Sequence, residues 1–244
     1  MSRFDAPLPE TEYSPCLVLS AREHDEGGGV RTQVAVSGRA SGLPCTELLV
    51  LVHGFNNHVR EAQEDYRWFR YGQEAMLGRG DRDRLEERLG DFFWPGDAKW
   101  PGLLDYVDFL VYPAAVGNSM ATAQRLADYL RQRTDAFVLH FVGHSLGCRV
   151  ILETIRLLRA RGGGPTIGKV CLMAAAVPTS KVVNGGDLFD AITAPSHLRV
   201  LYSPDDMVLE FVFGPGQTIS GQGEGFFPTA VGRYGDIPLS PGHL

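Results

Sequence analysis

Residues 137–147 read FVLHFVGHSLG, and this stretch decides the fold. Its first six residues, apolar except for His140, are typical of a buried strand, and Gly143–Gly147 matches the G-x-S-x-G pattern of a nucleophile elbow. A strand that turns sharply into a helix places Ser145 at the carboxyl end of the strand, over a helix N-terminus. The sequence therefore predicts a nucleophilic serine. The apolar positions that follow the motif recur at helical spacing, at Cys148, Ile151, Leu152, Ile155 and Leu158.

The alternation of strand and helix patterns continues on both sides of the elbow. Upstream, Leu48–Val52 is an all-apolar run, and a helical pattern follows it from Val59 to Met76. Downstream, strands are predicted at Val170–Ala175 and Leu198–Tyr202, with a short helix at Leu188–Ile192 between them. Consecutive parallel strands need crossover connections, so this pattern predicts an α/β fold with a mostly parallel central sheet and helices on both faces.

Three further segments complete the prediction for the sheet. Cys16–Ser20 and Val30–Val36 are short β-prone runs around a glycine-rich turn, which favours a hairpin at the sheet edge. Phe92–Trp94 and Tyr106–Tyr112 are strand candidates, one of which is expected to be an insertion. Ser119 is expected to begin the next helix.

The length and composition fit one globular domain. The chain has 244 residues, of which 44% are hydrophobic and 21% are charged, and no shift in composition divides it. We expect a single domain, in which residues 1–45 form N-terminal edge strands and a linker and residues 46–244 form the core.

Charge and cysteine usage narrow the range of partners. The net charge is −6 and no basic run is present, so nucleic acid is not an expected partner. We find no apolar stretch of membrane-spanning length, which favours a soluble, cytoplasmic protein. The four cysteines lack metal-ligand spacing and read as thiols, although Cys16 and Cys45 have the freedom to approach each other. No metal and no organic cofactor is expected.

A second loop is predicted to complete the site around the serine. His53-Gly54-Phe55-Asn56 follows the strand Leu48–Val52, at the place where hydrolases with this elbow supply a second oxyanion donor. We assign the backbone N–H groups of Phe55 and Leu146 to the oxyanion hole. His53 precedes the serine, whereas the chain order of such triads is serine, acid, histidine. We therefore expect His53 to shape the loop and not to act as the base.

The acid and the base are expected downstream of the serine. Pro204-Asp205-Asp206 leaves the strand Leu198–Tyr202, and its spacing favours Asp206 as the acid, with Asp205 as the alternative and as a turn-stiffening residue. His243 is the one histidine after these acids, so it is the candidate base.

These motifs together resemble the α/β-hydrolase superfamily, and within it a bacterial branch known as a domain of unknown function. The resemblance covers roughly residues 46–243. It implies an α/β-hydrolase fold and a serine esterase or lipase-like activity on a small-molecule ester or acyl substrate, without a cofactor. The motifs that carry it are Leu51–Asn56, Phe93-Trp94-Pro95, Gly143–Gly147, Ser203–Asp206 and Gly242-His243.

The reaction class is open at this stage. Acyl transfer to water from an ester is the expected function, because Ser145, Asp206 and His243 are candidates for a complete triad. An amidase, thioesterase or peptidase uses the same triad, and fold alone does not separate these activities. A second alternative is a non-catalytic member of the fold that binds a ligand or a protein.

Overall fold

A seven-stranded sheet forms the centre of the chain. The computed structural model describes residues 15–25, 29–39, 45–77, 79–97, 108–133, 137–213 and 228–235. The strand order within them is β2-β1-β4-β3-β5-β6-β7, and every neighbouring pair is parallel except β1 and β2. This arrangement confirms the predicted mostly parallel sheet and the edge hairpin. The strands are β1 (Leu17–Arg22), β2 (Val30–Ser37), β3 (Glu47–Val52), β4 (Leu89–Phe93), β5 (Val138–His144), β6 (Thr166–Met173) and β7 (His197–Leu201).

Helices occupy both faces of the sheet, as the crossover connections require. Helices α3 and α4 pack together with alternate residues of the strands, such as Val50 and Phe141, in one large core. A smaller core on the opposite face joins α1 to residues such as Leu51 and Phe93. The helices are α1 (Val59–Glu74), α2 (Arg79–Arg88), α3 (Asp108–Gln132), α4 (Gly147–Arg161), α5 (Thr179–Val182), α6 (Phe189–Thr193) and α7 (Val231–Tyr234), with a π-helical turn at Leu209–Phe213.

The segment between β4 and β5 corrects two of the predictions. Tyr106–Tyr112 is not a strand, because α3 already includes Asp108, while residues 106 and 107 lie outside the described part of the chain. Ser119 does not begin a helix but lies inside α3, where its hydroxyl donates to the Val116 carbonyl (2.7 Å). An apolar run followed by a serine is compatible with both readings, because a short buried strand and a buried helical turn have the same composition.

Two smaller expectations are also resolved. Met76 is 72% exposed, just beyond the end of α1, so the apolar stripe of that helix stops before it. All four cysteines are free thiols, and Cys16 contacts Arg39 while Cys45 contacts Arg133. Among the helices of the described residues, none combines the length and the apolar character needed to cross a membrane.

Candidate active site

Ser145 lies in a strained turn between β5 and α4. Its φ angle is +51°, in the left-handed region that non-glycine residues seldom occupy. Three backbone hydrogen bonds hold this conformation. The Ser145 N–H donates to the Met173 carbonyl (2.9 Å), and the Ser145 carbonyl accepts from Cys148 and Ala176 (3.1 Å each). Strain held by the surrounding backbone is typical of functional sites.

The glycines of the motif allow the close packing around this turn. A Cβ atom on Gly147 would overlap the carbonyl oxygen of His53, and one on Gly143 would overlap the side chain of Ile151. A Cβ on Gly54 would lie 2.8 Å from His144 Nδ1 and 3.2 Å from Ser145 Cβ. The loop after β3 therefore packs tightly against the elbow.

The two predicted oxyanion donors belong to backbone segments that meet at Ser145. Phe55 follows Gly54 in the loop after β3, and its neighbour Asn56 has a φ of +60° and donates its N–H to the Gly96 carbonyl (2.9 Å). Leu146 is the residue before α4, so its N–H points from a helix N-terminus. Both donors are backbone groups, so their positions depend on how firmly these two segments are held.

His53 is a structural residue of the loop. It is 2% exposed and stacks on Trp94, with ring centroids 5.6 Å apart. Its Nε2 accepts from the Trp94 backbone N–H (3.2 Å), so the ring proton is on Nδ1, which donates to the Gly54 carbonyl (2.9 Å). Burial lowers the pKa of His53 from 6.5 to about 4. A buried, neutral ring with both nitrogens engaged agrees with the expectation that His53 shapes the loop.

A buried ion pair beneath this loop has no signal in the sequence. Arg22 donates to both carboxylate oxygens of Asp97 (2.6 Å each), and His58 Nδ1 lies 2.6 Å from Asp97 Oδ2. The Arg22 guanidinium also donates to the carbonyls of Asn57 (3.3 Å) and Trp94 (2.9 Å). This cluster connects β1, the loop after β3 and the loop after β4. Arg22 and Asp97 are 75 residues apart, so no local pattern relates them.

The loop after β7 carries the candidate acids. Asp205 is exposed and Asp206 is half-buried. Asp206 Oδ1 accepts from the Leu209 N–H (2.9 Å), which caps the helical turn that follows. We expected Asp205 to have such a turn-stabilising role, but the structure gives it to Asp206. The bond occupies one of the two carboxylate oxygens of Asp206.

His144, the residue before the serine, feels the charges of two carboxylates. The residue is exposed overall, but desolvation lowers the pKa of its imidazole, and the negative charges of Asp65 and Asp206 act against this shift. Asp65 accepts a hydrogen bond from the Asn57 side chain (2.6 Å), and burial raises its pKa. Within the described residues, no imidazole forms a hydrogen bond with the Ser145 hydroxyl.

The candidate base His243 lies outside the described residues. The last segment that the structure describes is residues 228–235, and it runs along the carboxyl ends of β6 and β7. Gly232 donates to the Ala175 carbonyl (2.9 Å) and accepts from the Ser203 N–H (3.0 Å). Gly235 lies against the Tyr202 ring, close to the acid loop. From Gly235 to His243 is eight residues, a reach of at most about 28 Å, so chain length permits an approach to Ser145.

Comparison with known proteins identifies a family for this chain. Residues 32–213 match the model of a family described as alpha/beta hydrolase of unknown function (DUF900). This range includes β3, the elbow and the loop of Asp205 and Asp206. No curated protein matches the chain.

Proposed function

The chain belongs to this α/β-hydrolase family, and on that premise we propose that it is a serine hydrolase that cleaves a carboxylic ester through an acyl-enzyme. Ser145 is the nucleophile and His243 is the general base. Asp206 orients the imidazole and stabilises its charged form. The backbone N–H groups of Phe55 and Leu146 bind the oxyanion.

The reaction has two balanced halves. The Ser145 oxygen attacks the ester carbonyl while His243 accepts the hydroxyl proton, and collapse of the tetrahedral intermediate expels the alcohol, which takes that proton. A water molecule then gives a proton to His243 and attacks the acyl-enzyme. The second collapse releases the carboxylic acid, and the proton returns from His243 to Ser145.

The conformation of Ser145 carries this proposal. A serine with a φ of +51°, between a buried strand and a helix N-terminus, is a costly arrangement that a simple connection would not need. It presents the hydroxyl at the carboxyl edge of the sheet, where ligands bind in open α/β sheets. The adjacent loop supplies the Phe55 N–H as a second oxyanion donor. Each such donor contributes roughly 10²–10³-fold to kcat.

A fluorophosphonate probe tests the nucleophile directly. The wild-type chain should be labelled at Ser145, and Ser145→Ala should not be labelled. Ser180→Ala removes an exposed serine of α5 and serves as the matched control, which should label like the wild type. Equal labelling of Ser145→Ala and the wild type would exclude Ser145 as the nucleophile.

Turnover of p-nitrophenyl esters tests the roles of Asp206 and His243 and the substrate class. Asp206→Asn should reduce kcat by roughly 10⁴-fold, and Asp205→Asn should have little effect. Deletion of residues 243–244 should abolish turnover, and unchanged turnover would exclude His243 as the base. Anilide and thioester substrates run alongside rank the amidase, peptidase and thioesterase alternatives. A folded wild type that turns over none of these would favour the non-catalytic alternative.

A further inference from the structure

An open groove lies on the sheet face that carries the smaller core. Helix α2 borders it on one side, and strands β3, β5, β6 and β7 contribute to its walls and floor. Its volume is about 670 Å³, which falls within the range of small-molecule sites, roughly 300–1,000 Å³. Ser145 and the candidate acids are not among its described lining residues. The groove is therefore distinct from the candidate active site.

The floor of the groove is apolar. Leu49, Leu85 and Val142 line it and pack against the smaller core. Cys171 lies beside Val142 in the register of β5 and β6, and its free thiol is half-buried. An apolar surface of this kind favours contact with a hydrocarbon group, because burial removes it from water.

Two cations lie over this floor, Lys169 and Arg199. Lys169 and Arg199 are exposed lining residues on neighbouring strands, and neither forms an ion pair within the described part of the chain. By contrast, Arg88 at the border is neutralised by a salt bridge to Glu47. Burial raises the pKa of Cys171 and the positive charge of Arg199 acts against it, which indicates that the guanidinium lies near the thiol.

His140 adds a neutral donor to the same surface. Its Nδ1 accepts from the Lys169 backbone N–H (2.8 Å), so in the neutral ring the proton is on Nε2. Burial lowers the pKa of His140, Lys169 and Arg88 lower it further, and Glu47 acts in the opposite direction. The ring is therefore neutral at pH 7, and the excess charge of the groove comes from Lys169 and Arg199.

We propose that this groove binds an amphipathic anion, whose carboxylate or phosphate head is held by Lys169 and Arg199 and whose hydrocarbon tail covers Leu49, Leu85 and Val142. The positive charge of Lys169 and Arg199 is complementary to such a head. The chain as a whole has a net charge of −6, which opposes most anion binding. The apolar floor is complementary to the tail. This binding activity is independent of ester hydrolysis and does not require Ser145.

Isothermal titration calorimetry with dodecanoate, below its micelle concentration, tests the proposal. We expect one molecule to bind per chain in both the wild type and Ser145→Ala. Dodecyl phosphate distinguishes a phosphate head from a carboxylate head. Dodecanol, which has the same tail without the charge, should bind about tenfold more weakly or worse, since it forgoes the charge-assisted hydrogen bonds of the head.

Substitutions assign the binding to the groove. The double variant Lys169→Gln/Arg199→Gln should raise the Kd of dodecanoate about tenfold or more. Arg131→Gln/Arg159→Gln makes the same change of charge at exposed positions of α3 and α4 and should leave the Kd unchanged. Equal effects of the two double variants would reduce the result to non-specific charge attraction and would overturn the proposal.

Alkylation of Cys171 locates the ligand without any substitution. N-ethylmaleimide followed by peptide mass spectrometry measures the rate of modification at each of the four thiols. Saturating dodecanoate should slow the modification of Cys171 and leave that of Cys45 unchanged, because Cys45 does not line the groove. The absence of dodecanoate binding, equal binding of dodecanol, or binding that leaves Cys171 unprotected would each contradict the proposal.

Discussion

Replacement of Asp97 by alanine tests whether the buried ion pair holds the loop of Phe55. The Arg22 and Asp97 side chains are 1% and 0% exposed, so Asp97→Ala leaves a buried guanidinium without its counter-charge. Removing one partner of such a pair costs about 3–5 kcal/mol. Arg22 also donates to backbone carbonyls of His24, Asp25, Asn57 and Trp94, which remain in the variant. We therefore expect the lower end of that range, about 3 kcal/mol.

Equilibrium unfolding in urea measures this cost. Asp187→Ala is the matched control, because Asp187 forms a 3.0 Å salt bridge with Lys181 but its side chain is 73% exposed. Loss of an exposed pair costs about 0–1 kcal/mol. The folded fraction of Asp97→Ala should also show reduced kcat, since Asn57 and Trp94 flank the loop of Phe55. Equal free energies of unfolding for the two variants would refute this reasoning.

Three further predictions concern the packing around the elbow. Gly147→Ala should lower the free energy of unfolding by about 1–3 kcal/mol and reduce fluorophosphonate labelling, because the new Cβ would overlap the His53 carbonyl. Gly72→Ala is the control and should be neutral or stabilising, because no neighbouring atom lies within 4 Å. A larger loss of stability in Gly72→Ala than in Gly147→Ala would contradict the packing model. Tyr66→Phe should lower the free energy of unfolding by about 1–3 kcal/mol, because the Tyr66 hydroxyl accepts from the His53 N–H and donates to the Phe92 carbonyl. An unchanged midpoint of urea unfolding would exclude this role. Since burial lowers the pKa of His53 to about 4, the unfolded chain binds a proton more readily between about pH 4 and 6.5, and stability should fall by roughly 3 kcal/mol as the pH decreases through this window. Urea titrations at several pH values measure this slope, and His53→Gln should lack that component.

The secondary structure around the elbow could be predicted because its signals are local. The apolar run of β5, the spacing of apolar residues in α4 and the glycines of the motif each reflect the backbone geometry of adjacent residues. The same reasoning identified β3, β6, β7 and the hairpin of β1 and β2 to within a few residues.

The prediction was wrong where one local pattern fits two structures. The apolar run before Pro113 was interpreted as a strand, although Asp108–Tyr112 is the first part of α3. Ser119 was interpreted as a helix start, but inside a helix a serine hydroxyl has an alternative acceptor in the preceding turn. Asp206, and not its neighbour Asp205, caps the turn after β7, because the direction of each side chain depends on how the loop leaves the strand.

By itself, the sequence determined the fold class, the position of Ser145 at a strand-to-helix turn and the candidate identities of its partners. Only the tertiary structure decided which distant groups meet: the pairing of Arg22 with Asp97, the engagement of both His53 nitrogens, and the groove of Lys169 and Arg199 over an apolar floor. The physical reason is the separation along the chain of the residues that interact. Backbone conformation and amphipathic spacing are encoded within a few residues, whereas burial, pairing of charges and pKa shifts depend on residues that approach one another only when the sheet has formed.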